Sequence, residues 1–265
     1  MHTLKIALLA ATTLALAACG EPAEKQSEKA RDELRAKESV AAAAGTSWPD
    51  GPEVDEFDPM RTRDNLMLAV DMSGSMDGGD CAGDYYSKAD AAKDAIGTWL
   101  KSVPEQANVG VAAFVDGKSE LFVPLGTNNR RTIIETVKGF RPNGGTPLSE
   151  VIDLAEQELE NQARYQQGYG SYRVVVITDG AHSGGYDPRP VVERILGNPA
   201  NPVEIHTIGF CVDENHALNQ PGLTHYRSAT NPTELKAGLE SVLAESESFD
   251  AADFEALSPE GAANN

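Results

Sequence analysis

Residues 173–178 read Arg-Val-Val-Val-Ile-Thr, a run whose four consecutive apolar β-branched side chains leave no polar face. Side chains of a strand point alternately to its two sides, so this run must be covered on both. That requirement calls for a central strand of a sheet with helices packed on either face, and the rest of the chain supplies the parts. Residues 65–70 form a second short apolar run, ending at Asp71. Ile96, Trp99, Leu100 and Val103 recur at helical spacing. Residues 108–115 and 120–124 predict two strands, divided by Asp116-Gly117, a dipeptide suited to a hairpin turn. Residues 129–137 predict a short helix. Residues 147–164 predict a long one, with Leu148, Val151, Ile152, Ala155 and Leu159 on one face. A helix over 190–196, a strand over 203–209 and an edge strand over 225–228 follow. Leu235, Leu239, Val242 and Leu243 line a final helix. Strands alternating with helices predict a doubly wound α/β fold, with a mostly parallel six-stranded sheet and helices on both faces.

The two ends read differently. Lys5 precedes an uncharged stretch over residues 6–18 that is too short for the roughly 20 residues of a spanning helix and has the order of a secretion signal. It closes on Leu16-Ala17-Ala18-Cys19. That quartet resembles the bacterial lipobox, which implies a signal over 1–18 and two or three acyl chains on Cys19. In a Gram-negative host, Gly20 after that Cys favours the outer membrane. Residues 19–60 predict a tether: Leu34 is the sole large apolar residue of 24–37, so that stretch has no face to bury. The folded part is expected over 61–247. After Lys236 come seven acids and no base, and residues 248–265 predict a disordered acidic tail. Removing Lys5 with the signal takes 22 basic residues to 21 against 41 acidic, a net −20. Such a surface repels phosphate backbones, so nucleic acid is excluded as a partner.

In a doubly wound sheet, ligands gather at the carboxyl ends of the strands. Three polar clusters fall at predicted strand ends or helix starts there: Asp71-Met72-Ser73-Gly74-Ser75, Gly144-Gly145-Thr146-Pro147-Leu148 and Thr178-Asp179-Gly180. Singly, each reads as caps and turns. Together they offer two carboxylates and three hydroxyls, hard oxygen donors of the kind Mg²⁺ takes. Asp-x-Ser-x-Ser, then a Thr, then an Asp, on this strand order, resembles the metal-ion-dependent adhesion site of von Willebrand factor A domains. The resemblance covers roughly residues 61–247. It implies that Asp71, Ser73, Ser75, Thr146 and Asp179 hold Mg²⁺, or Mn²⁺ or Ca²⁺ in its place, and that a protein partner's exposed Asp or Glu completes the shell.

With Cys19 assigned to lipid, Cys81 and Cys211 remain as an even pair in a compartment that permits disulfides, and they are expected to be bonded. Residues 76–86, which hold Cys81 with Asp77, Asp80 and Asp84, form a longer loop than the family's compact pattern. A zinc site from Cys81, Cys211, His182 and His216 matches no common spacing. No metalloprotease, nucleophile-elbow or phosphate-loop motif is present, so a binding module is expected rather than an enzyme. The alternative is an assembly subunit of an envelope complex in which the metal only organises loops.

Overall fold

The computed structural model describes residues 47–52 and 54–244. The signal over 1–18, Cys19, most of the tether and the acidic tail lie outside the described residues. Six strands form one sheet: β1 (Asp64–Met72), β2 (Asn108–Val115), β3 (Lys118–Gly126), β4 (Ser171–Thr178), β5 (Val203–Phe210) and β6 (His225–Ala229), in the order β3-β2-β1-β4-β5-β6. All neighbours are parallel except β2 and β3. Those two are joined by the Asp116-Gly117 turn, where both residues have positive φ, 55° and 71°, as a tight hairpin demands. Among the described residues, five helices cover the sheet: α1 (Lys88–Trp99), α2 (Arg130–Gly139), α3 (Leu148–Gln166), α4 (Arg189–Leu196) and α5 (Pro232–Ala244).

The pleat sorts the central strand between two cores. Leu66, Leu68 and Val70 of β1 pack with Trp99 of α1, Ile133 of α2 and Leu239 of α5. Met67 and Ala69 face the other way, onto Val151 and Leu159 of α3 and Ile195 of α4. Val174 and Val176 of β4 join the second core, Val175 and Ile177 the first. This division is why residues 173–178 show no alternation: each side of the strand meets a helix layer.

Chain order reverses between β1 and β4, the adjacent central strands, with β2 and β3 built outward on one side and β5 and β6 on the other. A doubly wound sheet opens its crevice at that reversal, beyond the carboxyl ends of the two strands. Register pairs Val70 with Ile177, so Asp71 stands level with Thr178.

At the amino ends a buried polar network fixes the strands. Asn108 Nδ2 donates to Asn65 Oδ1 (2.9 Å), and Asn65 Nδ2 donates to Gln166 Oε1 and to the Ser171 carbonyl (2.8 Å each). Residues 47–52 and 54–60, which the sequence assigns to the tether, lie against this end of the molecule. Trp48 packs edge-on to Tyr172 with ring centroids 4.8 Å apart. Asp50 N donates to Glu160 Oε1 (2.8 Å), and Asp58 N to the Tyr165 carbonyl (2.9 Å). The Trp48 ring supplies an apolar contact for this segment. Among the described residues, no helix is long and apolar enough to cross a membrane.

Candidate metal centre

Each polar cluster is placed by its strand or by a neighbouring loop. Asp71 is the last residue but one of β1 and is fully buried. Its Oδ1 accepts from Ser73 N (2.8 Å), which turns the chain so that a short 3-10 turn follows over Gly74–Asp77. Its Oδ2 accepts from Thr178 Oγ1 (2.6 Å), across the β1–β4 boundary. Ser73 Oγ and Ser75 Oγ lie 2.9 Å apart, and Ser75 Oγ donates to Asp179 Oδ1 (2.7 Å). Ser73, Ser75 and Asp179 therefore form one continuous chain of polar contacts.

The Thr146 loop is stitched to both. Gly74 N donates to the Gly144 carbonyl (3.0 Å) and Asn143 N to the Met72 carbonyl (2.9 Å). On the other flank, Thr146 N donates to Ser183 Oγ (2.7 Å), and Ser183 N to the Thr146 carbonyl (3.0 Å). Gly144 has φ 81°, and a Cβ there would sit 2.4 Å from Gly117 N, so only glycine lets the hairpin tip buttress this loop. The three clusters converge at one edge, and Asp71, Ser73, Thr146 and Asp179 are all buried there.

Electrostatically the edge is under load. Burial first, and then the Asp179 carboxylate, push the Asp71 carboxyl up to about 6; hydrogen bonds from Ser73 and Thr178 oppose the rise. Asp179 Oδ2 is buried without an aligned hydrogen-bond donor, although the Lys88 ammonium lies 2.6 Å from it. An ion pair lacking hydrogen-bond alignment leaves that oxygen's directional demand unmet. Two carboxylates, three hydroxyls and an under-served buried oxygen fit a hard divalent cation. They do not fit a soft metal. Cys81 and Cys211 are bonded to each other, with Cα atoms 5.7 Å apart, and so supply no thiolate. Among the described residues there is no group of three or more His, Cys, Asp or Glu able to hold a metal.

Some neighbours carry no sequence motif. Ser183 lies four residues past Asp179 and anchors Thr146. His216 Nε2 meets the Gly180 carbonyl at 2.8 Å, and burial holds the imidazole pKa below its usual value. The Nδ1 of His182 is buried with no hydrogen-bond partner. Lys88 was legible only indirectly, as a base placed directly after the Ser87 cap of α1, where acids are favoured.

Residues 66–182 match the family model of the von Willebrand factor type A domain. That span runs from β1 past Asp179 and includes all three clusters. Over those residues the chain is similar to a von Willebrand factor type A domain. Solved structures share its fold. A von Willebrand factor type A protein from Catenulispora acidiphila superposes with TM-score 0.56 at 18% identity, over 70% of this chain and 43% of its own. A pilus adhesin, SpaC from Lactobacillus rhamnosus GG, gives 0.53 at 17% identity, over 73% of this chain and 31% of its own. An aerotolerance-related membrane protein from Bacteroides fragilis gives 0.51 at 17% identity, over 69% of this chain and 99% of its own. No curated protein sequence matches the chain. Within the matched span, the Asp71 loop, Thr146 and Asp179 occupy the edge of the sheet at which its chain order reverses.

Proposed function

We propose that this von Willebrand factor A domain is a binding module, not an enzyme, and captures a protein partner through a divalent cation held by Asp71, Ser73, Ser75, Thr146 and Asp179. Mg²⁺ is the first choice of ion, with Mn²⁺ or Ca²⁺ as alternatives. The observation that carries the reading is the make-up of the edge: five oxygen donors at the sheet's reversal point, of which two are charged. When bound, such an ion supplies an electrophilic position for an exposed Asp or Glu of the partner, since two carboxylates cancel its charge without reversing it. The chain's own residues do the rest. Thr178 holds Asp71, the Ser73–Ser75 contact orients the Asp179 carboxyl, and Ser183 fixes the Thr146 loop. These loops are already joined by direct hydrogen bonds, which supports a role in capture over one in which the ion only organises loops. The shared fold with a pilus adhesin is consistent with this class of function.

The lipobox-like end completes the proposal: acylation at Cys19 would place the domain on the cell envelope, at the outer membrane in a Gram-negative host. Mass spectrometry of the mature N-terminus should show acyl chains on Cys19; an unmodified peptide beginning elsewhere removes the anchor. Capture itself is tested by pull-down from detergent-solubilised envelopes in Mg²⁺ and in EDTA. A partner should be retained in Mg²⁺ and released by EDTA. Thr146→Ala should weaken retention with the fold intact, and Asp179→Ala more so, because it also removes charge. Equal retention in EDTA and by both variants would show that this edge is not the interface.

A further inference from the structure

Lys88 stands where a cation is least welcome. It is the first residue of α1, at the helix end that carries partial positive charge, and its side chain is only 9% exposed. Burial of an ammonium is costly unless it is paired. Its one ion pair among the described residues is with Asp179 Oδ2 at 2.6 Å, and the Asp179 side chain has no exposure at all. The backbone is shaped to permit this. Lys88 N donates to the Gly78 carbonyl (2.8 Å), and a Cβ at Gly78 would lie 3.6 Å from Lys88 Cε and 3.7 Å from Nζ. The aliphatic stem thus runs past the loop that follows Ser75 and delivers its charge to the candidate metal edge.

Asp179 is consequently divided. Its Oδ1 serves the hydroxyl chain through Ser75, and its Oδ2 serves the ammonium. Two buried carboxylates in mutual repulsion need a positive charge, and the chain itself provides one. A divalent ion coming to the same carboxylate must share it with a like charge or displace that charge.

We propose that Lys88 is an internal counter-cation that neutralises Asp179 in the ion-free domain and competes with the divalent ion for it. The inference rests on the reading of this edge as a metal site and adds how strongly the site binds. The ammonium keeps the ion-free edge folded and electrically balanced, at the cost of metal affinity. Binding is thereby weakened into a range where ion and partner can be exchanged.

The test is titration calorimetry of MgCl₂ and MnCl₂ into the full chain and its Lys88→Met variant, with thermal melts in EDTA and in excess ion. Lys88→Met should bind the ion on the order of tenfold tighter or more, because a like charge beside the ligand is gone. It should melt below the parent in EDTA, where Asp179 is left buried and unpaired, and gain more than the parent when the ion is added. Lys88→Gln, which keeps a neutral donor near Asp179, makes the same affinity comparison should the Met variant not fold. Affinity unchanged or weakened in the variant, with the parent binding, overturns the competition and leaves the metal site standing. No ion binding by parent or variant overturns both.

Discussion

Cutting the Cys81–Cys211 bond should lower the melting temperature by roughly 10–20 °C. The bond spans 130 residues of sequence, for which loop-closure entropy gives about 5 kcal/mol. A domain of this size shifts by about 2–4 °C for each kcal/mol. Part of that gain is offset in the folded state. Cys81 and Cys211 both adopt left-handed backbone, with φ 59° and 64°, which costs an L-residue about 1–2 kcal/mol. Two double variants separate the contributions. Cys81→Ala with Cys211→Ala removes the cross-link and keeps the backbone penalty. Cys81→Gly with Cys211→Gly removes both, less the roughly 0.4–1 kcal/mol per site that glycine returns to the unfolded chain. The glycine pair should therefore melt about 3–6 °C above the alanine pair, and both well below the oxidised parent. Calorimetric scans in EDTA, which silence any stabilisation by bound ion, give the three temperatures. An alanine pair melting within about 3 °C of the parent would refute the cross-link's contribution. A glycine pair melting below the alanine pair would refute the backbone argument.

Other parts of the molecule lead to further expectations. Asn65→Leu leaves Asn108 Nδ2 and Gln166 Oε1 buried without their partner and should cost about 2–6 kcal/mol in urea unfolding, at about 1–3 kcal/mol per orphaned group; a loss under about 0.5 kcal/mol would show that the network relaxes. Hydrogen bonding to His206, and next the charge of Arg173, hold the Glu204 carboxyl down at about 2. A depressed carboxylate stabilises the fold above its ordinary pKa of 4.5, and that contribution disappears as pH falls towards 2. Glu204→Gln should therefore be less stable than the parent at pH 7, with the gap closing across that acid range and narrowing in high salt, since the group is half exposed. A gap independent of pH would refute the assignment. Trp48→Ala should free residues 47–60 for limited proteolysis while leaving the global melt nearly unchanged; unaltered cleavage would show that Trp48 does not hold the segment.

How much of this was legible in the sequence depended on whether the cause was local. The strand at 173–178 and the hairpin at Asp116-Gly117 announced themselves, because burial on both faces and positive φ each restrict residue type at the position itself. The convergence of Asp71, Ser73, Ser75, Thr146 and Asp179 on one edge followed from where strands end in a doubly wound sheet. Lys88 and Ser183 did not, since each matters through a single partner distant in sequence or in another loop. A base after a helix cap is a weak anomaly until Asp179 is placed beside it. Trp48 was hidden for a related reason: one aromatic ring in a proline-rich stretch reads as a break, and only its contact with the buried ring of Tyr172 turns it into an attachment.

That attachment also fixes how the molecule would carry a load. Trp48 is fastened at the amino end of β4, and the Asp71–Asp179 edge lies at the carboxyl ends of β1 and β4, about 25 Å away along an eight-residue strand. A pull on the chain before residue 47, resisted by a partner gripping the far edge, draws β1 by its first residue, and the share of that grip taken by Asp179 draws β4 by its last. The two strands are parallel neighbours, so the pull tries to slide one past the other. Their ladder of hydrogen bonds is then strained all at once, not opened one rung at a time as in a hairpin peeled from its end. The same placement that presents the edge outward thus sets traction against the strongest direction of the sheet.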